Sequence, residues 1–205
     1  MRIGIRASTL LLCLFASLSL ANAQEGPTAA RGLQLYAFGG ATGTYTGLAG
    51  GKNLGVTAGV DVGFSAYHGF LPTLEARGTE PFSDGTIAAL KNFLGGIKVE
   101  RTYGHIHPYV DFLFGRGQVD YDGAGYLNPQ QTILYQRTNS NIWSPGAGVD
   151  FDITRSLAIK LDGQYQKYTV PVTTSGSIYA KPITIGVLYR FGYRQDRPEA
   201  PSSAR

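Results

Sequence analysis

The sequence is poor in cysteine, in charged residues and in long apolar runs. Of its 205 residues one is cysteine and 16% are charged, whereas typical soluble domains carry roughly 25% charged residues. The single cysteine, Cys13, lies in the first 23 residues, so the rest of the chain can form no disulfide and offers no thiol chemistry. After residue 23 no apolar run reaches the ~20 residues that a transmembrane helix needs, which excludes a helical membrane protein.

The N-terminal 23 residues have the pattern of a secretory signal peptide. Arg2 and Arg6 precede an apolar run, Leu10 to Leu20, and the small residues Ala21 and Ala23 follow it. This order of charge, short apolar core and small-x-small end is the one that signal peptidase cleaves. We therefore predict export, with Ala21 and Ala23 as the cleavage signal and a mature chain that begins near residue 24.

The formal net charge is small. The value of +4 counts Arg2 and Arg6, so the mature chain is only weakly basic. Nucleic-acid binding requires a basic stripe or patch, and we expect no nucleic-acid partner.

Eight segments alternate apolar with small or polar residues, the period of a β-strand with one apolar face. The clearest runs from Leu54 to Phe64, where every second residue is apolar and Gly, Thr and Asp lie between. The eight predicted strands are Leu33 to Thr42, Leu54 to Phe64, Leu71 to Arg77, Phe93 to Arg101, Pro108 to Arg116, Trp143 to Asp152, Leu157 to Gln166 and Ile183 to Phe191.

The predicted connections alternate between short and long. The short ones are 65–69, 103–107 and 153–156, and the long ones are 43–53, 78–87, 117–141 and 169–182. Barrels of the bacterial outer membrane have short periplasmic turns and longer extracellular loops. The alternation predicts an all-β, eight-stranded antiparallel up-and-down transmembrane β-barrel with both chain ends in the periplasm.

The last predicted strand carries a further pattern. Thr184, Gly186, Tyr189 and Phe191 stand at the positions of the C-terminal insertion signal of outer-membrane barrels, which this segment resembles. Together with the strand count and the Phe38-Gly39-Gly40 opening, it makes the chain resemble eight-stranded barrels of the outer-membrane protein A transmembrane-domain and opacity-protein type. The resemblance implies location in the bacterial outer membrane, contact with its lipid and lipopolysaccharide, insertion by the barrel assembly machinery and an unknown extracellular partner for the loops.

We therefore divide the chain into four parts. Residues 1–23 are the predicted signal peptide, 24–32 a periplasmic segment, 33–191 the barrel, and 192–205 a polar, proline-bearing tail of the disordered type. The tail is too short for a peptidoglycan-binding domain.

The polar face of the predicted strands carries charge on residues that would point into the lumen. A buried charge without a partner costs several kcal/mol, so we expect these residues to form ion pairs. On neighbouring strands, Glu75 and Arg77 would meet Lys98 and Glu100, and Asp162 would be the first partner of Arg190. The predicted lumen network is Asp61, Glu75, Arg77, Lys98, Glu100, Asp111, Asp150, Lys160, Asp162 and Arg190.

The sequence predicts no catalytic, cofactor-binding or metal-binding residue. His105 and His107 share one face of an extended segment, but we find no carboxylate beside them in the sequence. The nearest phosphate-binding string, at Gly50, lacks the spacing and the hydroxyl of that motif. Tyrosines in the predicted long loops are suited to adaptable contacts. They are Tyr121, Tyr126, Tyr135 and Tyr179.

Three other functions remain open. A narrow ion or small-solute channel could run through the charged lumen. A soluble lipocalin-like barrel would place the apolar face inside instead, and a lipid-modifying barrel enzyme would need a histidine base at the outer rim. The pattern favours a non-enzymatic outer-membrane barrel with a polar packed lumen and a structural or surface-interaction role.

Overall fold

The computed structural model describes residues 33–83, 87–123 and 125–191. The predicted signal peptide with Ala21 and Ala23, the segment 24–32 and the tail 192–205 lie outside these residues. The described part of the chain contains no helix that is long and apolar enough to cross a membrane.

The described residues form β-strands joined by turns. In chain order the strands are β1 (Gln34–Tyr45), β2 (Lys52–Gly63), β3 (Phe70–Ser83), β4 (Ala88–Arg101), β5 (Ile106–Tyr121), β6 (Tyr126–Leu127), β7 (Leu134–Tyr135), β8 (Arg137–Asp152), β9 (Leu157–Gln164), β10 (Gln166–Thr169) and β11 (Ser177–Phe191).

Strands β9 and β10 are two halves of one barrel strand. Both pair antiparallel with β8 on one side and β11 on the other, and the register continues unchanged across Tyr165. The ladder is interrupted where Pro145 and Pro182 face this strand, because proline has no backbone N–H to donate. With β9 and β10 counted as one, and the β6–β7 hairpin outside the main sheet, the barrel has eight strands.

The sheet closes on itself. The strand order is β1-β2-β3-β4-β5-β8, then β9 with β10, then β11, and β11 pairs with β1 from Leu35 opposite Phe191 to Tyr45 opposite Lys181. All pairings are antiparallel, so the predicted eight-stranded up-and-down barrel is confirmed.

The outward face of the barrel is apolar along the middle of the strands. Val60, Leu74, Ile97, Val110 and Ile185 are all exposed there. Exposed aromatic residues lie at both margins of this belt. They are Phe64, Phe70, Phe151, Tyr189 and Phe191 at the end where the described residues begin and end, and Phe93, Phe114, Trp143, Tyr165 and Tyr179 towards the other end.

An apolar band between two aromatic girdles is the surface of a barrel that spans the bacterial outer membrane. The soluble-barrel alternative required the apolar face of these segments inside, and the structure has it outside. The longest connection, 122–136, lies at the end opposite to the one where the described residues begin and end. In outer-membrane barrels the longer connections are extracellular, so we refer to these two ends as extracellular and periplasmic.

Inward-facing glycines make room for large side chains in the lumen. A Cβ atom on Gly59 would overlap the ring of Phe38, and one on Gly148 would overlap the ring of Tyr109. Eight strands enclose a space that side chains just fill, so each large residue needs a small neighbour. The phase of β1, ambiguous in the sequence, is settled by Tyr36 and Phe38, which are buried inside.

The strands extend further at the extracellular end than the sequence predicted. The predicted long loops at 43–53, 78–87, 117–141 and 169–182 contain strand residues in every case, and β5 and β8 reach 16 residues each. The prediction was wrong there because Gly, Thr, Ser and Asn, which favour turns, occupy strand positions that face the lumen or lie beyond the membrane. The turn predicted at 103–107 is also shorter, since β5 begins at Ile106.

Candidate functional site

The ten charged residues of the predicted lumen network all lie on the inward face, in the half of the barrel nearer the periplasm. Nine are buried: Asp61, Glu75, Arg77, Lys98, Glu100, Asp111, Asp150, Lys160 and Asp162. The tenth, Arg190 on β11, is partly exposed at the periplasmic mouth.

Arg77 is the centre of the first group of charges. Its guanidinium pairs with Glu75 on its own strand and with Asp162 on β9, at 2.6 Å from Nη1 to Oδ1. Asp111 on β5 lies 3.8 Å from Nη2. A planar guanidinium carries five donors, so one side chain serves carboxylates from three different strands and ties them together across the lumen.

Neutral donors complete this group. The hydroxyl of Tyr109 donates to Oδ2 of Asp162 at 2.8 Å. The amide of Gln164 donates to Oδ2 of Asp111 at 2.9 Å and accepts from the hydroxyl of Ser144 at 2.7 Å. These hydrogen bonds stabilise the negative charge of Asp111 and Asp162, which the single guanidinium of Arg77 compensates only in part.

Lys98 is the centre of the second group. Its ammonium donates to Asp61 at 2.7 Å and lies 3.5 Å from Glu100 and 3.8 Å from Asp150. The sequence placed Lys98 and Glu100 opposite Glu75 and Arg77. The register of β3 and β4 sets Thr73 opposite Lys98 instead, and Lys98 reaches Asp61 on β2 and Asp150 on β8.

Lys160 is held largely by aromatic rings. Its ammonium lies 4.1 Å from the ring centre of Tyr109 and 4.7 Å from that of Phe38. Asp150, which is opposite Lys160 in the strand register, is 3.8 Å away. Within the described residues the Nζ atom has no hydrogen-bond partner, so cation–π attraction supplies the stabilisation that a hydrogen bond would otherwise give.

Arg190 does not meet Asp162, contrary to the prediction. The register of β9 and β11 sets Thr184 opposite Asp162, and Arg190 lies six residues further along, about 20 Å at ~3.3 Å per residue. Arg190 pairs instead with Asp152 at the end of β8. The alternation of apolar and polar residues correctly predicted that Arg190 faces the lumen. It does not predict how far along the barrel axis the side chain lies.

His107 forms a node at the same mouth. Its Nε2 lies 2.9 Å from Asp152 and its Nδ1 lies 3.2 Å from Glu100. Neither carboxylate is near His107 in the sequence, because both come from other strands. His105 is exposed in the turn, so the two histidines do not act together. Asp152, which is not among the ten predicted network residues, links Arg190 to His107.

The half of the lumen nearer the cell exterior contains a packed apolar cluster, so the lumen is not polar throughout as the sequence predicted. We call this packed cluster the apolar plug. Its buried members are Leu48, Ala88, Leu90, Leu94, Leu113, Val119, Tyr121, Ile142, Tyr168, Val170, Val172, Ile178 and Ala180. It was missed because several of these residues lie in predicted loops and because Leu113 and Ile142 adjoin outward apolar residues, so that the alternation disappears.

A chain of threonines separates the plug from the charges on one side of the barrel. Thr42 bonds to Thr57 at 2.6 Å and to Thr184 at 2.8 Å, and Thr57 bonds to Thr79 at 2.9 Å. The hydroxyls satisfy one another across β11, β1, β2 and β3. The lumen is thus layered, with charges at the periplasmic side, hydroxyls between, and a mainly apolar cluster towards the exterior.

The β6–β7 hairpin stands at the extracellular end on top of the plug. Tyr126 and Tyr135, paired across the hairpin, pack against the plug, while Leu127, Ile133 and Leu134 are exposed. Asn128 organises the tip, since its Oδ1 accepts from the backbone N–H of Thr132 at 2.8 Å. The hairpin therefore has an anchored base and an exposed aliphatic tip.

Two of the four tyrosines proposed for surface contacts occupy other positions. Tyr121 is 7% exposed and belongs to the plug. Tyr179 lies on β11 and stacks on Tyr165 with ring centres 5.4 Å apart. Their prediction as loop residues was wrong because the strands continue past the predicted ends.

The four positions of the predicted insertion signal lie on the closing strand. Thr184 faces the lumen and bonds to Thr42, and Gly186 pairs with Gly40 on β1. A Cβ atom on either glycine would overlap the backbone of the opposite strand. Tyr189 and Phe191 face outward at the periplasmic girdle, edge to face with ring centres 4.9 Å apart.

Comparison with known proteins gives weak similarity to solved barrels. No protein-family model and no curated protein matches the sequence. The crystal structure of Neisserial surface protein A is 13% identical, with a TM-score of 0.49 over 78% of this chain and 97% of that one. Ail, the attachment invasion locus protein of Yersinia pestis, is 12% identical, with a TM-score of 0.48 over 78% and 99%.

The outer membrane protein OprG from Pseudomonas aeruginosa is 12% identical, with a TM-score of 0.42 over 78% of this chain and 96% of that one. Closed antiparallel pairing, an apolar outer belt and two aromatic girdles make the protein an eight-stranded outer-membrane β-barrel on its own geometry.

Proposed function

We propose that the protein is a closed, non-enzymatic barrel that acts at the cell surface through its extracellular hairpin. The observation that carries the proposal is the hairpin tip, where Leu127, Ile133 and Leu134 are 44%, 52% and 52% exposed. The segment 126–135 contains no charged residue. Exposed aliphatic clusters on soluble surfaces commonly mark contact sites, and this one is held in place by Tyr126 and Tyr135.

The chemistry of the tip favours a protein partner with an apolar contact patch. Asn128, Gln130, Gln131 and Thr132 border the aliphatic residues with neutral donors and acceptors. A polar rim around an apolar centre is the usual composition of a protein interface. A polyanionic glycan would require cations, and the tip has none.

Transport receives less support. The apolar plug fills the extracellular half of the lumen with side chains such as Leu94, Leu113 and Ile142, none of which is exposed to solvent. An ion that crosses this layer would exchange its hydration shell for packed hydrocarbon and a few buried polar groups such as Asn53 and Gln166, which is costly in a low-dielectric space. The channel alternative therefore needs a rearrangement of the plug.

Catalysis at the outer rim receives little support as well. His68, His105 and His107 belong to the periplasmic end, whereas a lipid-modifying enzyme of the outer leaflet would need its base near the extracellular end. The remaining partners that we propose are the outer-membrane lipid, lipopolysaccharide and, during biogenesis, the barrel assembly machinery.

The proposal can be tested on the purified barrel in lipid nanodiscs. We expect the wild type to bind at least one protein in a panel of purified extracellular proteins, and Leu127→Ser with Ile133→Ser and Leu134→Ser to weaken that binding at least about tenfold, a loss of ~1.4 kcal/mol. Tyr67→Ser is the matched control, because Tyr67 is 73% exposed in a periplasmic turn.

Unchanged binding by the triple variant would refute the hairpin as the contact site. Failure of the wild type to bind any member of a broad panel would count against the surface-interaction role itself. Heat-modifiable migration on gels should be the same for all three proteins, which separates a binding defect from a folding defect.

A further inference from the structure

A chain of polar side chains crosses the periplasmic mouth of the barrel. Glu100 on β4 contacts His107 on β5, and His107 contacts Asp152 on β8. Asp152 pairs in turn with Arg190 on β11, whose guanidinium lies 6.0 Å from the ring centre of Tyr36 on β1. These five residues, which we call the mouth chain, therefore connect five of the eight barrel strands across the opening.

His107 is the residue on which this chain depends, because a carboxylate approaches each of its ring nitrogens. Nε2 lies 2.9 Å from Oδ2 of Asp152, and Nδ1 lies 3.2 Å from Oε1 of Glu100. A neutral imidazole has one N–H and one acceptor nitrogen, whereas the protonated ring donates from both. An ionised carboxylate accepts hydrogen bonds and donates none. Two ionised partners therefore require His107 to be an imidazolium.

The charges of the mouth chain balance when the ring is protonated. Glu100 and Asp152 supply two negative charges, and Arg190 supplies one positive charge beside Asp152. The imidazolium of His107 supplies the second positive charge. Within the described residues the remaining polar contact of the ring is the hydroxyl of Thr102, 3.1 Å from Nδ1, which carries no charge. A neutral ring therefore leaves one negative charge of the mouth chain without a cation.

Lys98 is a further cation beside Glu100, but it does not replace the imidazolium. Its ammonium lies 2.7 Å from Asp61, 3.5 Å from Glu100 and 3.8 Å from Asp150. It thus divides its charge among three carboxylates, and its hydrogen bond goes to Asp61. A carboxylate that faces an uncharged ring at this site is destabilised, because Glu100 is only 5% exposed and charges interact strongly where little water is present.

We propose that the mouth chain is a pH-sensitive switch that controls access of water from the periplasm to the charged half of the lumen. In acid the imidazolium of His107 holds Glu100 and Asp152, and the mouth is closed. When the pH rises and the ring loses its second proton, one nitrogen becomes an acceptor that faces a carboxylate. That contact is lost, the side chains separate, and water reaches the ion pairs behind them.

The switch concerns one histidine of three. His107 is 7% exposed, whereas His68 and His105 are exposed in the periplasmic turns. Histidine is the residue whose charge ordinarily changes between about pH 5 and pH 8, so the mouth chain responds to conditions that the periplasm meets. The apolar plug contains no residue of the mouth chain. The switch therefore governs entry of water at one end, not passage through the barrel, and is independent of what the β6–β7 hairpin binds.

Entry of water behind the mouth chain can be followed with one introduced cysteine. Residues 33–191 contain no cysteine, and Thr73, opposite Lys98 on the inward face, is 1% exposed. The Thr73→Cys protein in nanodiscs would be labelled with a charged methanethiosulfonate as a function of pH. Its rate would be divided by that of Ser65→Cys, in an exposed periplasmic turn, because the thiolate is the reactive form and its fraction rises with pH at any site.

We expect the relative labelling rate of Thr73→Cys to rise at least about tenfold from about pH 5 to about pH 9, a range that includes the usual titration of histidine. The midpoint should coincide with loss of the second ring proton of His107, measured by NMR of isotope-labelled histidine. In the same background His107→Gln, which has no cation, should be labelled fast throughout, and His107→Arg, which stays charged, slowly throughout. His105→Gln is the matched control, because His105 is exposed in the neighbouring turn, and should leave the pH dependence unchanged.

Three results would overturn the proposal. A relative rate that stays constant with pH would show that the mouth does not open. Slow labelling of His107→Gln, or fast labelling of His107→Arg, would show that a positive charge at this position is not what closes the mouth. A labelling midpoint that differs from the titration of the His107 ring would assign the opening to another group. Unchanged heat-modifiable migration of each variant separates these results from loss of the fold.

Discussion

Arg77 on β3 and Asp162 on β9 meet across the lumen, with Nη1 of the guanidinium 2.6 Å from Oδ1 of the carboxylate. The two strands are not neighbours in the barrel. Both side chains are at most 3% exposed. The pair therefore ties opposite walls together in a place where water cannot replace either partner.

A double-mutant cycle should detect this pair. Arg77→Met leaves several buried carboxylates without their cation, and loss of one partner from a buried pair typically costs ~3–5 kcal/mol. Asp162→Leu in the Arg77→Met background should recover part of the loss. We expect a coupling free energy of at least ~0.5 kcal/mol from urea unfolding of the barrel in lipid, followed by the fluorescence of Trp143.

The matched control is the same cycle on Arg190→Met and Asp162→Leu. Arg190 pairs with Asp152 instead, so the two changes should be additive within ~0.5 kcal/mol. If the Arg77 and Asp162 changes were additive while the Arg190 and Asp162 changes were coupled, Asp162 would lie beside Arg190 and not beside Arg77.

The apolar plug predicts that two leucines on barrel strands contribute differently to the free energy of unfolding. Leu113 is buried inside the plug, whereas Leu161 faces the lipid and is 42% exposed. Leu113→Ala should cost ~2–5 kcal/mol because it leaves a cavity among packed neighbours. Leu161→Ala should cost at least ~1 kcal/mol less, because lipid chains fill the space. Equal unfolding free energies for the two variants would mean that the plug is loosely packed.

Gly146 should be sensitive to a single methyl group. Its Cβ would overlap the side-chain amide of Gln164, which holds Asp111 and Ser144. We expect Gly146→Ala to lower the unfolding free energy by ~1–3 kcal/mol, the usual cost of overpacking. Gly163→Ala serves as the control, since its Cβ would lie 3.8 Å from the carbonyl oxygen of Ala147, an ordinary contact distance. A neutral Gly146→Ala would show that Gln164 can move freely.

The closing strand allows a test of the proposed insertion signal. Tyr189→Ala with Phe191→Ala removes the outward aromatic pair that ends β11, which must be recognised and paired with β1 before the sheet has no free edge. We expect normal export but a marked fall in the heat-modifiable, outer-membrane form. Ile183→Ala with Ile185→Ala removes lipid-facing residues from the middle of the same strand and should assemble. Normal membrane levels of the aromatic double variant would reject the assignment.

The sequence predicts the barrel architecture well where every residue on one face of a strand is apolar. From Leu54 to Phe64 the apolar and small residues alternate without exception, and the structure has the same faces. The number and order of the barrel strands follow from eight such segments. The strand ends do not, because residues such as Gly117 and Ser140 are typical of turns and yet continue the sheet.

The sequence predicts which charged residues face the lumen but not which of them form ion pairs. Alternation assigns Arg77, Asp162 and Arg190 to the inward face, but which of them meet depends on the stagger between strands, which no local pattern contains. The plug escaped prediction for a different reason. Where both faces are apolar, as from Phe112 to Phe114, the inward Leu113 cannot be distinguished from its lipid-facing neighbours.

The most direct test of the account is conductance across a planar lipid bilayer. The barrel should insert and remain electrically silent, because the apolar plug closes the extracellular half of the lumen and buried ion pairs occupy the rest. A porin incorporated under the same conditions provides the positive control. Reproducible discrete openings of the purified wild-type protein would contradict a closed barrel and would restore the channel as its function.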